Sequence, residues 1–238
     1  MIFLMLCMFQ SQFYVFLVPK MQNITPNKIV YSKDSAFGRA MIQYGRNTIG
    51  KGAQIFEPVT LGFPSKEFIG KENFQGTIIG DNGVLRTGTI IYCNVTIGNN
   101  FSSGHNVIIR EKTIIGDNTV IGTSTVIEGN CTIGKNVRLQ SMVFVPTYTT
   151  IGDGVYIGPN SILTNDRFPP FGRPELKGPV LDDDSTIGAN VTILPSVHIG
   201  REAAVAAGSI VTKDVPAGML AIGAPARIRP LPQEMRRP

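Results

Sequence analysis

Apolar residues return at every sixth position through the middle of this chain. Between residues 79 and 163 fifteen positions fall on this six-residue beat, and fourteen of them are Ile, Leu or Val. Ser103 is the exception, and the same beat is present before residue 62 and after residue 186. An α-helix repeats every 3.6 residues and a strand every two, so neither element alone explains a period of six.

A triangular coil of short strands does explain this period. Each side of the coil buries one aliphatic residue, so three beats complete a turn. Turns stacked about 4.8 Å apart pair the backbone N–H and C=O groups of one turn with those of the next. A six-residue repeat is typical of a parallel β-helix. We therefore predict an all-β chain folded as a parallel β-helix.

Small and polar residues accompany the beat. A small or β-branched residue stands two positions before most beat residues, and this places Cys131 in the predicted core. Glycine often follows the beat residue, where we expect a corner that needs an unusual φ or a close backbone approach. Asp and Asn nearby, such as Asp117 and Asn118, suit the same corners.

The beat fails at four places, and function is expected where regular scaffold stops. These are residues 62–78, Ser103, a proline-rich insertion at 164–180, and the tail after Val211. The pattern predicts a β-helix over residues 45–215 with a protruding loop at 164–180. It leaves an apolar N-terminal segment at 1–20, a lead-in at 21–44, and a C-terminal closing segment and tail at 216–238.

The apolar stretch at residues 1–19 carries no charge, but it lacks the marks of a signal peptide. No basic residue precedes the apolar run and no small-residue cleavage site follows it. A start assigned too far upstream, with Met21 as the working start, is one interpretation. An anchoring helix is the other, and we expect membrane contact only if residues 1–19 are genuine.

Composition narrows the classes of partner. The net charge is +5, and residues 213–238 hold five cations and two carboxylates, hence +3 of that charge. A basic balance without a Lys/Arg-rich block gives weak support for nucleic-acid binding, so no nucleic-acid partner is expected. The three cysteines form no close pair and no metal-like spacing, which favours a reducing compartment, the cytoplasm.

Several motifs resemble those of the hexapeptide-repeat acyltransferases. AAGSIVTKDVPAGMLAIGAPARIR, residues 206–229, is similar to the final coil and closing segment of these enzymes. GHNVIIRE (104–111), LQS (139–141) and LTND (163–166) resemble most the nucleotide-linked amino-sugar N-acetyltransferases that act at C3 of the sugar. The resemblance implies a left-handed β-helix, a homotrimer with active sites between subunits, acetyl-CoA as co-substrate, no metal, and a nucleotide-linked amino sugar as acceptor.

Two residues are candidates for proton transfer. His105 lies in the turn SSGHN beside the broken beat, and its near-neutral pKa in water suits a general base. Asp166 could pair with the acceptor ammonium or take its proton. The alternatives without a catalytic role are a solvated histidine in a turn and an Asn-Asp turn before the proline-rich loop. His198 lies one position before a beat residue, so we expect it on the surface.

The resemblance also implies binding residues. Asn165 and Gln140 would hold the sugar, while Arg110 and Glu111 would either touch substrate or pair with each other on the surface. The coenzyme A would follow backbone groups near Ala207, Gly208 and Ser209, with its phosphates near Lys213 and Arg227. Lys and Arg make strong charge-assisted contacts with phosphate, although solvated charges on a tail are the alternative.

Other functions remain to be weighed. A γ-type carbonic anhydrase needs three histidines for its metal, and this chain has two. A nucleotidyltransferase would need an N-terminal nucleotide-binding domain, for which about 45 residues leave no room. An O-acetyltransferase acting on a sugar or other small hydroxyl acceptor and a non-catalytic structural β-helix stay open.

Overall fold

The computed structural model describes residues 41–170 and 175–235 in full, and before them the strand positions 6–9, 12–15, 28–31 and 40. Strand β1 (Leu6–Phe9) pairs antiparallel with β2 (Gln12–Val15). Most of the apolar segment 1–20 and of the lead-in 21–44 lies outside the described residues, so both interpretations of the first segment stay predictions. No helix among the described residues is long and apolar enough to cross a membrane.

Three sheets of short strands form the sides of a solenoid, with 10, 8 and 10 strands. Sheet I contains β3 (Lys28–Tyr31), β4 (Ala40–Gln43), β7 (Val59–Phe63), β10 (Ile90–Tyr92), β13 (Ile108–Ile109), β16 (Val126–Ile127), β19 (Phe144–Val145), β22 (Ile162–Leu163), β25 (Thr192–Ile193) and β28 (Ile210–Val211).

Sheet II contains β5 (Arg46–Ile49), β8 (Gln75–Ile79), β11 (Val95–Ile97), β14 (Ile114–Ile115), β17 (Thr132–Ile133), β20 (Thr150–Ile151), β23 (Val180–Leu181) and β26 (His198–Ile199). Sheet III contains β6 (Gln54–Ile55), β9 (Val84–Leu85), β12 (Ser102–Ser103), β15 (Val120–Ile121), β18 (Arg138–Leu139), β21 (Tyr156–Ile157), β24 (Thr186–Ile187), β27 (Ala204–Val205), β29 (Met219–Gly223) and β30 (Ala226–Pro230). Short 3₁₀ helices occur at Lys66–Phe68 and Gln233–Met235.

Strand register confirms that one regular turn spans three beats. Ile109 pairs with Ile127, and Ile127 pairs with Val145, in parallel strands of sheet I. Every beat position from 79 to 163, Ser103 included, is at most 2% exposed. Cys131 is also buried, at 1% exposed, as its place in the pattern predicts. The all-β prediction and the inward-facing aliphatic ladder are therefore confirmed.

The corners show why the repeat needs Asn and Gly. Asn118 has a φ of 58°, in the left-handed region that Asn tolerates better than most residues, and other Asn residues repeat this conformation at six-residue intervals. Gly116 serves a different need, because a Cβ there would lie 2.7 Å from the carbonyl carbon of Gly134 in the next turn. Glycine after the beat thus permits close stacking of turns.

Both long departures from the beat are insertions into the solenoid. Leu61 pairs with Ile91, and Leu163 pairs with Ile193. Each of these turns is therefore five beats long instead of three, so a length of chain equal to two beats leaves the coil at each place. Both insertions leave the coil at the corner between sheet I and sheet II. The second corresponds to the predicted loop at 164–180, of which residues 171–174 lie outside the described part.

Three corners join the sheets of the solenoid. The histidine edge joins sheet III to sheet I and contains residues 86–88, 104–106, 122–124, 140–142, 158–160, 188–190 and 206–208. The loop edge joins sheet I to sheet II, and the asparagine edge joins sheet II to sheet III. Strands β29 and β30 form an antiparallel hairpin that extends sheet III beyond β27.

Candidate functional site

The histidine edge presents His105 to solvent. Its backbone is fixed, because the N–H donates to Thr123 Oγ1 at 3.2 Å and the carbonyl accepts the Ser124 N–H at 2.8 Å. The side chain is exposed and makes no hydrogen bond or ion pair with any residue that the structure describes. An unengaged imidazole on a rigid corner is available to a ligand.

The same edge runs without interruption from His105 to Gly208. Gln140 lies along it, half-buried, while Ala207 and Gly208 are exposed at its far end. Five turns separate His105 from Ala207, which is roughly 24 Å at the spacing of paired strands. Backbone hydrogen bonds link Ser124 to His105, Met142 to Thr123, Asn160 to Ser141, Asn190 to Pro159 and Gly208 to Ala189.

The closing hairpin is tied to the end of this edge. Ser209 is buried, and its Oγ accepts the N–H of Gly223 at 3.1 Å. Arg227 pairs with Ile222 on the neighbouring strand and is exposed. The predicted cofactor residues Ala207, Gly208 and Ser209 therefore lie next to the hairpin that carries Arg227, and Ser209 itself supports that hairpin.

The loop edge holds a different set of predicted residues. Arg110 and Glu111 form a two-bonded pair, with Nη2 to Oε1 at 3.0 Å and Nε to Oε2 at 3.2 Å. The guanidinium also lies 5.5 Å from the centre of the Tyr92 ring. Burial opposes the charge of Arg110, but the hydrogen bonds and charge of Glu111 outweigh it and raise the pKa of Arg110. The surface pairing expected as one alternative is thus present.

Asn165 and Asp166 begin the second insertion on this edge. Asn165 Nδ2 donates to Thr147 Oγ1 at 2.7 Å, so its amide ties the base of the loop to the preceding turn. Asp166 Oδ1 accepts the N–H of Phe168 at 2.9 Å, which is the turn geometry expected of Asp before such a loop. A hollow of about 190 Å³ opens beside Asp166 and includes Leu194 in its lining.

The structure separates the predicted residues into two groups. His105, Gln140, Ala207, Gly208, Ser209 and Arg227 belong to the histidine edge or its end, whereas Arg110, Glu111, Asn165, Asp166 and Lys213 belong to the loop edge. Sheet I lies between the two groups. His105 and Asp166 also differ in height by three turns, roughly 14 Å, so one chain does not bring them together.

Some predicted residues lie at the same height on opposite sides of sheet I, because they precede and follow the same strand. Arg110 and Glu111 follow the same strand, β13, that His105 precedes. Lys213 follows β28, which Gly208 precedes, and its side chain is exposed.

Sequence reasoning missed Arg86, on the histidine edge. Its guanidinium donates to Ser102 Oγ at 3.0 Å and to the Ser103 carbonyl at 2.6 Å. The available signals were the break of the beat at Ser103 and an arginine directly after Leu85, where the repeat often has glycine. His198, by contrast, lies on the surface as expected, with Nε2 2.8 Å from Asp182 Oδ2.

Two other hollows are not lined by any of the predicted residues. Hollows of about 480 Å³ and 410 Å³ lie along the asparagine edge, and Asp184 contributes to both. Among the described residues no group of three or more His, Cys, Asp or Glu side chains is arranged to hold a metal ion.

Comparison with known proteins identifies the repeat. A family model for the bacterial transferase hexapeptide (six repeats) matches residues 112–147, and one for the hexapeptide repeat of succinyl-transferase matches residues 181–213. A hexapeptide-repeat acetyltransferase of Vibrio cholerae, solved with acetyl-CoA, is 31% identical over 50% of this chain and 71% of that chain, with a TM-score of 0.36. Two stretches of the solenoid therefore carry the hexapeptide repeat found in bacterial transferases.

Two further proteins are similar to parts of this hexapeptide-repeat chain. The 2,3,4,5-tetrahydropyridine-2,6-dicarboxylate N-acetyltransferase of Staphylococcus aureus is 49% identical over 55 residues, or 23% of each chain. This chain therefore spans about a quarter of the length of that curated relative. The PerB protein of Caulobacter crescentus, solved with CoA and GDP-perosamine, is 22% identical over 62% of this chain and 56% of that chain, with a TM-score of 0.31.

Proposed function

We propose that this hexapeptide-repeat protein is an acetyl-CoA-dependent N-acetyltransferase acting on a nucleotide-activated amino sugar. One observation carries the proposal: an exposed, unengaged His105 stands on the same continuous edge as the small, exposed corner Ala207–Gly208 and the basic hairpin residue Arg227. Acetyl-CoA is a long thioester with phosphates at the end away from its acetyl group. The histidine edge has His105 as a candidate general base near one end, and accessible backbone and the cation Arg227 at the other.

Acetyl-CoA would lie along the histidine edge. Its acetyl group would be placed at His105, and its pantetheine arm would follow the exposed backbone of the later turns. Its phosphates would reach Arg227 and, from a neighbouring copy, Lys213, since charge-assisted contacts to phosphate are strong. Adding a Cβ at Gly208 would meet no atom within 4 Å, so this corner is open to a ligand.

We assign His105 the role of general base. The nitrogen of the sugar amine attacks the thioester carbon, forming the C–N bond, and the imidazole takes the proton that the nitrogen loses. Backbone N–H groups would stabilise the oxyanion of the tetrahedral intermediate. When that intermediate collapses, the C–S bond breaks and the departing thiolate takes up a proton. The products are the amide and free CoA.

A second copy of the chain would complete the site. The outward positions of sheet I form an apolar stripe of partly exposed side chains, whereas those of sheets II and III mix polar residues with apolar ones such as Ile114. This stripe lies between the two edges and contains Ile90, Ile108, Val126, Phe144 and Ile162. A closed homotrimer would bury such stripes and repeat the site three times.

The loop edge would contribute to acceptor binding. Asp166 and the hollow beside it would contact the sugar, with Gln140 of the facing edge orienting a hydroxyl. Asn165 would act mainly through the loop, because its amide is already bonded to Thr147. Arg110 and Glu111 would face His105 as a pair.

One observation favours O-acetyl transfer as the second candidate. Asp166 lies about three turns from the height of His105, so it does not supply a carboxylate that could hold an ammonium group there. A hydroxyl acceptor needs only the single base. Parallel assays with amine and hydroxyl acceptors separate the two reactions.

Calorimetry with acetyl-CoA tests the enzyme assignment. We expect one binding event per chain, weakened in the Arg227→Ala variant and unchanged in Arg201→Ala, which alters an exposed arginine on the asparagine edge. If the intact assembly binds no acetyl-CoA, the protein is a structural β-helix and the proposal is wrong.

A further inference from the structure

The broken beat at Ser103 belongs to a hydrogen-bond network in sheet III. Ser103 is fully buried, and its Oγ accepts the backbone N–H of Arg86 at 3.0 Å and lies 3.0 Å from Thr89 Oγ1. Thr89 Oγ1 also donates to the Arg86 carbonyl at 2.6 Å. Every polar atom of this buried cluster has a partner, so the serine costs the core little.

The serine changes the backbone ladder at Arg86. At regular corners the residue after the beat donates its N–H to a carbonyl of the next turn, as Gly98 does to Ile115 and Gly104 to Ile121. At Arg86 the N–H goes to the Ser103 hydroxyl instead. The Ser103 carbonyl is thereby freed, and it accepts Arg86 Nη1. An aliphatic residue at 103 has no hydroxyl with which to make this exchange.

The network fixes one side of the guanidinium and leaves the other available. Nη1 uses its donors on Ser102 Oγ and the Ser103 carbonyl. Nε and Nη2 make no hydrogen bond to any residue that the structure describes, and no described carboxylate lies within 4.0 Å of Arg86 to form an ion pair. A half-buried cation with a free two-donor edge matches an oxyanion.

Arg86 lies on the side of His105 that the proposed position of acetyl-CoA leaves free. Arg86 lies on the histidine edge one turn before Gly104 and His105, on the N-terminal side. The acetyl-CoA track proposed above leaves His105 in the opposite direction, towards Gly208. The side of His105 on which Arg86 lies is therefore left free for the end of the acceptor that carries its oxyanions; this step rests on the proposed function.

We propose that Arg86 binds an oxyanion of the acceptor through Nε and Nη2, and that Ser103 is the positioning residue that presents it. A phosphate of the nucleotide is the favoured source, and a carboxylate on the sugar is the other source of the same chemistry.

Calorimetry with UDP, dTDP, GDP and glucuronate tests the assignment without any acetyl transfer. We expect at least one probe to bind wild-type protein and to bind the Arg86→Gln variant about 10- to 100-fold more weakly, the range for a lost charge-assisted pair. Affinity for acetyl-CoA should stay unchanged. Arg138→Gln, which alters an exposed arginine on the same sheet, should bind all probes as wild type does.

Substitution of Ser103 separates positioning from folding. Ser103→Thr keeps the hydroxyl and should keep probe binding. Ser103→Val restores the aliphatic beat, so the thermal transition should remain cooperative and near that of wild type, while probe binding falls towards the level of Arg86→Gln. A probe preference for nucleotides or for glucuronate identifies the source of the oxyanion.

The possible failures are distinct. The inference is wrong if wild-type protein binds none of the four probes, if Arg86→Gln binds them as tightly as wild type, or if it loses acetyl-CoA affinity instead. Ser103→Val binding at the wild-type level would remove the positioning role. If probe binding depends on Arg86 but no amino sugar is acetylated, the oxyanion site stands and the proposed function falls.

Discussion

Replacing His105 with alanine should abolish most activity without changing stability. The imidazole is exposed and has no partner among the described residues, and both backbone bonds of His105 survive the change. Surface substitutions of this kind usually change the free energy of unfolding by less than about 0.5 kcal/mol. Loss of a general base lowers the rate by about 100- to 10,000-fold, equivalent to about 3–5.5 kcal/mol of activation free energy.

His198 supplies the matched control. It is also exposed, but its imidazole pairs with Asp182 on sheet II, away from the histidine edge. The His198→Ala variant should lose at most about 1 kcal/mol of stability, because its contact with Asp182 is exposed, and keep wild-type activity. Initial rates of CoA release and thermal unfolding curves measure both quantities.

Two results would refute this reasoning. If His105→Ala retained more than a tenth of wild-type activity, His105 would not be the base. If it lost activity together with several degrees of melting temperature, the side chain would have a structural role that its exposure does not predict.

Three other sets of substitutions test phosphate binding, core packing and thiol burial. Replacing Lys213 and Arg227 together with alanine should weaken CoA binding at least about 10-fold, with a smaller effect in high salt because exposed charges are screened; calorimetry at two salt concentrations checks this. Ile121→Ala should cost about 2–5 kcal/mol in urea unfolding, since the side chain is fully buried, whereas Ile114→Ala, at 57% exposed, should cost far less. Burial raises the pKa of Cys131 from 9.0 to about 11, so the free energy of unfolding should fall as the pH rises from about 9 towards 11, because the unfolded chain ionises its thiol first; urea unfolding of Cys131→Ser, compared with wild type across this window, should show a weaker pH dependence.

Most of the fold could be predicted from the six-residue periodicity of the sequence. One buried residue on each side of a triangular coil leaves a mark every six positions, and each such position, from Ile79 to Leu163, is inside the solenoid. Both insertions could also be located, because a loop that leaves the coil interrupts the beat. Their common edge could not be read directly, since it depends on which side each strand joins.

The candidate site was only partly accessible from the sequence. His105 could be singled out because it stands beside the one polar beat position. The separation of His105 from Asp166 was hidden, because closeness in a solenoid depends on edge and height and not on the order of motifs. Arg86 was missed since its partner Ser103 lies on the next turn of the coil and not beside it in the chain.

Mass spectrometry of acceptor panels tests the central claim most directly. Wild-type protein would be incubated with acetyl-CoA and with UDP- and dTDP-linked amino sugars, each beside the matching sugar that carries a hydroxyl in place of the amine. At least one amino sugar should gain a single acetyl group on nitrogen, and the His105→Ala variant should fail to transfer it. Acetylation of hydroxyl acceptors alone, with every amine left unmodified, would contradict the assignment as an N-acetyltransferase.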